Sequence, residues 1–146
     1  MEGVRNMAPD DFKLHDVSRF PVVTLHGRGL PPGYGPTWAS ELEALLSQDR
    51  PFVMIFPDSV ENETHEDQKL RAIFLKANKA RLAAKCQAIF GVEPNKAKRV
   101  LKRAQGAVIA AAFGLRFRIV ATVEEAERLA GLALAGAPVP DDVERD

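Results

Sequence analysis

Apolar and polar residues alternate through Phe12-Lys13-Leu14-His15-Asp16-Val17, the period of a strand with one buried face. After a break at 18–20, Pro21-Val22-Val23-Thr24-Leu25-His26 reads as a second strand, with proline at its start, where a missing donor is tolerated. The two predict an antiparallel pair. A Gly/Pro loop follows over 27–36. From Thr37, read as an N-cap, Trp38, Leu42, Leu45 and Leu46 recur at i, i+4, i+7 and i+8, the apolar stripe of a helix. Asp49-Arg50-Pro51 ends it. Phe52-Val53-Met54-Ile55-Phe56 is apolar at successive positions, as a strand covered on both faces should be.

Past a loop over 57–63, the Thr64 hydroxyl and the first-turn acids Glu66 and Asp67 open a long helix. Its periodicity turns Leu70, Ile73, Phe74, Ala77 and Ala84 inward and its Lys and Arg residues outward. Residues 87–92 predict another buried strand. Beyond the turn Glu93-Pro94-Asn95, Asn95 caps a helix expected to bury Ala97, Val100, Leu101, Ala104 and Val108, and Gly114 stops it. A strand over 115–120 leads to Thr122-Val123-Glu124-Glu125, a capping box for a last helix that buries Ala126, Leu129, Ala130 and Ala133. The order ββαβαβαβα predicts one α/β domain over 11–135, with a five-stranded, mostly parallel mixed sheet flanked by helices. Residues 1–10 predict a flexible N-terminus without the apolar core of a signal peptide. Residues 136–146, with Pro138, Pro140 and a charged end, predict a disordered tail.

This order resembles the STAS/SpoIIAA-like family, the anti-sigma-factor antagonists and their small bacterial SpoIIAA-like relatives. The likeness spans about residues 11–135. It is strongest at Phe52–Phe56 leading to Asp58-Ser59, at Cys86 to Pro94, and in the stretch Arg118-Ile119-Val120-Ala121-Thr122-Val123-Glu124-Glu125 and the helix after it. The resemblance implies a STAS-like domain that works through protein contacts, with a phosphoacceptor where the helix after the central strand begins. Position makes Thr64 that candidate and Ser59 the second.

Composition adds little to the fold but much to the question of partners. One cysteine, Cys86, excludes an internal disulfide framework and, with no apolar run long enough for a bilayer, suggests a cytoplasmic protein. Net charge is zero, yet residues 68–103 hold 11 bases against one acid, while both flanks are acidic. Lys69, Arg71, Lys76, Lys79, Arg99, Lys102 and Arg103 form the candidate basic surface, which suits an acidic protein or a second copy of the chain. An anionic membrane surface is a further reading. The lack of exposed aromatics there argues against stacking on nucleic acid.

Candidate chemistry is sparse. The loop Gly27-Arg28-Gly29 with Gly33 and Gly35 follows a strand, but Pro31 and Pro32 remove donors that a pyrophosphate would need. His15, His26 and His65 show no metal-ligand spacing, so neither a metal nor a cofactor is expected. His26, Arg28, Tyr34, Asp58, His65, Glu66 and Asp67 fall where α/β sheets place ligands, at the carboxyl ends of strands. The leading expectation is a non-enzymatic regulatory or scaffold module using that edge. The alternative is a small-ligand-binding protein or minor enzyme built around His26 and His65.

Overall fold

A computed structural model describes residues 11–61 and 63–140. Its strands are β1 (His15–Arg19), β2 (Val22–Leu25), β3 (Phe52–Phe56), β4 (Cys86–Val92) and β5 (Phe117–Val120). Its helices are α1 (Gly35–Leu46), α2 (His65–Ala77), α3 (Lys79–Lys85), α4 (Lys96–Phe113) and α5 (Val123–Leu134). The strands form one sheet in the order β1-β2-β3-β4-β5, antiparallel between β1 and β2 and parallel thereafter. The fold is therefore α/β with a five-stranded mixed sheet. The single long helix expected after Thr64 is broken at Asn78 into α2 and α3.

Successive parallel strands lie side by side, so every crossover moves in one direction. Connections of one hand then drop their helices on one face. Accordingly α1, α2 and α3 share a core with Val23, Leu25, Phe52, Met54 and Ile89, and Phe113 of α4 packs on it. The last helix has no strand to return to and takes the other face, where Ala126, Leu129, Ala130 and Ala133 pack on Val53, Ile55, Ala88 and Phe90. β3 and β4 are buried on both faces, as their unbroken apolar runs require.

Two expectations are corrected. On α4, Ala97, Val100, Leu101, Ala104 and Val108 face solvent, and the helix turns Gly106 and Phe113 toward the sheet instead. Likewise Ile73, Ala77 and Ala84 are exposed, and Leu75 and Leu82 join Phe74 in the core. In the stretch after Gly136, Val139 packs on the α5 cluster and Arg118 Nε donates to the Pro140 carbonyl at 2.8 Å. The expectations for residues 1–10 and 141–146 lie outside the described residues.

The edge strand is anchored by a buried acid that no pattern in the sequence marks. Glu41, on α1, accepts the N–H groups of Lys13 (2.6 Å), Leu14 (3.2 Å) and His15 (2.9 Å), and contacts His15 Nδ1 at 2.8 Å. Burial alone would raise its carboxyl. The His15 ring and the three N–H groups outweigh that and hold it below the usual range. Replacing Glu41→Gln should cost about 2–3 kcal/mol, because it removes the charge from three backbone bonds and the His15 contact, of which the His15 donors are buried. Urea unfolding of the two proteins measures this. A loss under about 0.5 kcal/mol, the range of ordinary surface changes, would show that β1 is held by its ladder alone.

Candidate functional site

The carboxyl ends of β2, β3 and β4 meet the loops after them at one edge, and three carboxylates organise that edge. Asp58 accepts the Arg28 N–H at 2.7 Å and lies 3.2 Å from His26 Nδ1. Burial would raise its carboxyl, but these bonds and the neighbouring charges of His26 and Arg28 hold it low. The contact between the two loops is close enough that a Cβ on Gly27 would stand 2.5 Å from the Val60 nitrogen. Only glycine fits there.

Asp67 ties the next pair of elements. Thr64 is an N-cap, its Oγ1 accepting the Asp67 N–H at 3.0 Å. The Asp67 carboxylate, itself buried, accepts the N–H groups of Gly33 (2.7 Å) and Gly35 (2.9 Å). It thus caps α1 from across the fold, and α1 begins at Gly35 rather than at Thr37. Beside it, Glu63 accepts both Arg71 Nε and Nη2 at 3.0 Å and the Tyr34 hydroxyl proton. Burial and that bond push the Tyr34 hydroxyl up to about 12. Further along, Lys102 Nζ reaches Glu93 Oε1 and Ser59 Oγ, each at 2.7 Å, and so joins the loops after β3 and β4.

Beneath this rim lies a cavity of about 470 Å3 between α1, α2, α4 and the sheet. Trp38, Leu42, Met54, Ile89, Ile109, Phe113 and Phe117 are among its walls, which also include the polar Asp58, Ser59, Arg71, Lys102 and Gln105. The helices flanking the space pack on different elements. α2 packs on α1, with the Phe74 and Trp38 rings edge to face at 5.5 Å. α4 packs on β5, where Gly106 sits so near Phe117 that a Cβ would come within 2.8 Å of its ring.

Among the residues singled out from sequence, Tyr34, Asp58, Ser59, Arg71 and Lys102 line this cavity, and His26 and Arg28 support its rim through Asp58. Thr64 and Asp67 make helix caps. His65, Glu66, Lys69, Lys76 and Lys79 are exposed and do not line this cavity. Arg99 and Arg103 donate to the carbonyls of Glu93 and Ile119. Trp38, Met54, Gln105, Phe113 and Phe117 belong to the site and carried no sequence signal beyond their apolar or polar type. Cys86 is buried, and burial pushes its thiol up to about 12, which leaves no thiolate for nucleophilic work. Among the described residues, no group of three His, Cys, Asp or Glu is placed to hold a metal, and no helix is long and apolar enough to cross a membrane. Compared with family models, with curated proteins and with solved structures, the chain matches none.

The Asp67 carboxyl is pushed up by burial, but the bonds from Gly35, Gly33 and Thr64 hold it below its ordinary 3.8. A lowered folded-state value means stabilisation that is complete above the unfolded value and lost as pH falls through the folded one. The wild type should therefore lose melting temperature steeply below about pH 4, and Asp67→Asn should start lower and fall less. Melting curves between neutral pH and pH 2 decide it. Parallel curves for the two proteins would show that Asp67 does not carry the acid response.

Proposed function

We propose that the chain is a non-enzymatic binding protein whose cavity accepts one small, mainly apolar molecule. The observation that carries this reading is the apolar cavity of about 470 Å3 at the carboxyl edge of the parallel strands. Ligand pockets have this size, this lining and this place in α/β folds, about 300–1,000 Å3 with a few polar groups at one end. The polar groups of the rim are committed to one another: Asp58 to His26 and the Arg28 N–H, Glu63 to Arg71 and Tyr34, Lys102 to Glu93 and Ser59. A general base must be free to take a proton. These groups fix the shape of the entrance instead, which favours holding a molecule over transforming it. A ligand with an apolar body and one uncharged polar end fits best, the end meeting Ser59 or Gln105.

A regulatory role in the manner of STAS-like domains is compatible with this reading and rests on the element order and the local likenesses alone. Ser59 is the candidate phosphoacceptor better placed for it. It is exposed at the cavity mouth, where a phosphate would compete with Glu93 for Lys102. Docking of an acidic protein at this rim has less support, since the polar groups there are turned toward each other.

Nile red, an uncharged apolar dye, should bind with a blue-shifted emission and raise the melting temperature by several degrees when in large excess over its dissociation constant. Ile109→Trp, at a half-exposed position of the cavity wall, should block entry and abolish the shift without lowering the stability of the empty protein. Binding that survives Ile109→Trp unchanged, or no binding at all, would remove the basis for this function.

A further inference from the structure

The helix α4 is amphipathic with its faces exchanged. Gly106 and Phe113 meet the sheet, and several of its bases bend toward the body of the domain: Arg99 to the Glu93 carbonyl, Arg103 to the Ile119 carbonyl, Lys102 to Glu93. The outermost face carries Ala97, Val100, Leu101, Ala104, Ala107, Val108, Ala111 and Ala112, all exposed. At 100° per residue they span about 140° of arc with no charge among them. Val108 is 70% exposed, Leu101 60% and Val100 51%. Single exposed apolar residues are ordinary on a protein surface, but a continuous face of them marks a contact.

The composition of that face names its occupant. Ala97, Leu101, Ala104, Val108 and Ala111 repeat at spacings of four and three, the a/d seam of helices that pack along their length. The face is also close to symmetric about Ala104, with valine four residues away on each side (Val100, Val108) and alanine seven away on each side (Ala97, Ala111). Across a two-fold axis at Ala104 these positions would bring valine to the level of valine and alanine to the level of alanine, with no charge in the seam. Charge sets the direction. All five bases of α4 lie in residues 96–103, and residues 104–113 carry none. Antiparallel pairing brings Lys96 and Lys98 of each copy to the uncharged carboxyl end of the other, where the helix dipole favours cations. Parallel pairing would set Lys96 and Lys98, which flank the face, beside the same two bases of the other copy.

We propose that this chain forms a two-fold dimer through antiparallel packing of α4 on α4, with Ala104 at the axis. A lipid surface fits the same face less well. Helices that lie in membranes present Trp, Phe or several Leu to the acyl region, and here Leu101 is the largest residue. The helix is about 27 Å long and about 10 Å wide, which offers each copy about 270 Å2 of face. That is below the roughly 800 Å2 per partner of a stable complex, so the pair dissociates on dilution.

Sedimentation equilibrium between about 10 µM and about 1 mM should show a concentration-dependent monomer–dimer exchange. Val108→Lys should leave a monomer with unchanged melting temperature and unchanged Nile red binding, since Val108 does not line the cavity; this separates the interface from the ligand reading. Under mild oxidation Ala104→Cys should cross-link two copies. Ala97→Cys should not, because antiparallel pairing keeps the two introduced thiols about 20 Å apart. The native Cys86 is buried and does not interfere. A monomer at every concentration would overturn the proposal, as would equal cross-linking by both variants, which means a parallel pair. Co-sedimentation with phosphatidylserine vesicles by a protein that stays monomeric, lost in Val108→Lys, would overturn it in favour of a membrane surface.

Discussion

Asp67 caps a helix to which it does not belong. Its own N–H is held by Thr64 at the head of α2, and its carboxylate holds the N–H groups of Gly33 and Gly35 at the head of α1. A helix start leaves four donors unpaired, and a charged acceptor there is favoured by both hydrogen bonding and the helix dipole. One buried carboxylate thus sets the positions of two helix starts relative to each other. The Trp38–Phe74 contact between α1 and α2 follows from that placement, and so does the wall of the cavity that Trp38 and Leu75 form. Gly35 has no space for a side chain in this arrangement, as a Cβ would lie 2.9 Å from the Asp67 carboxylate.

Much of the architecture was legible because its causes are local. Phe52–Phe56 had to be a central strand, since no alternating pattern offered a face to water. Thr64, Asn95 and Thr122 were readable as caps, and each accepts the N–H three residues on. The start of α1 was misjudged for the complementary reason: its cap comes from a residue 32 positions away, and Thr37 merely had the right chemistry nearby. Glu41 was invisible in the same way, an acid on a helix whose partners lie on a distant strand. The cavity could not be foreseen at all. A void depends on how far apart α2 and α4 come to rest, and periodicity carries no information about that distance.

The orientation of α4 shows where a pattern argument stops. Periodicity identifies an apolar face but not what covers it, and the natural assumption is the protein's own core. Here the sheet already receives Phe113 and the close approach of Gly106 to Phe117, contacts that lie on the opposite side of the helix. An internal glycine costs a helix about 1 kcal/mol relative to alanine. At Gly106 that cost is offset by the close packing it permits. The same rotation changes the electrostatics. The strongly basic segment does not form a uniform surface, because Lys85, Arg99 and Arg103 donate to backbone carbonyls and Arg71, Arg81 and Lys102 pair with acids.

Both proposals converge on this one helix. Gln105, Gly106, Ile109 and Phe113 line the cavity, while Leu101, Ala104 and Val108 point the other way. A rigid helix cannot move one side without the other, so a ligand that shifted α4 by even a fraction of an ångström would also shift its outer face. The proposed pair rests on that face alone, so the interface moves with the helix, and pairing and ligand binding stay independent, as the unchanged Nile red binding expected of Val108→Lys requires. Any such shift has a physical limit in the Gly106–Phe117 contact, where only the Phe117 ring separates helix from strand. Motion toward the sheet is blocked there by direct contact with the ring. A ligand that fills the cavity can therefore displace α4 only outward or along its axis, and either motion carries the outer face with the helix and leaves Ala104 in its two-fold register.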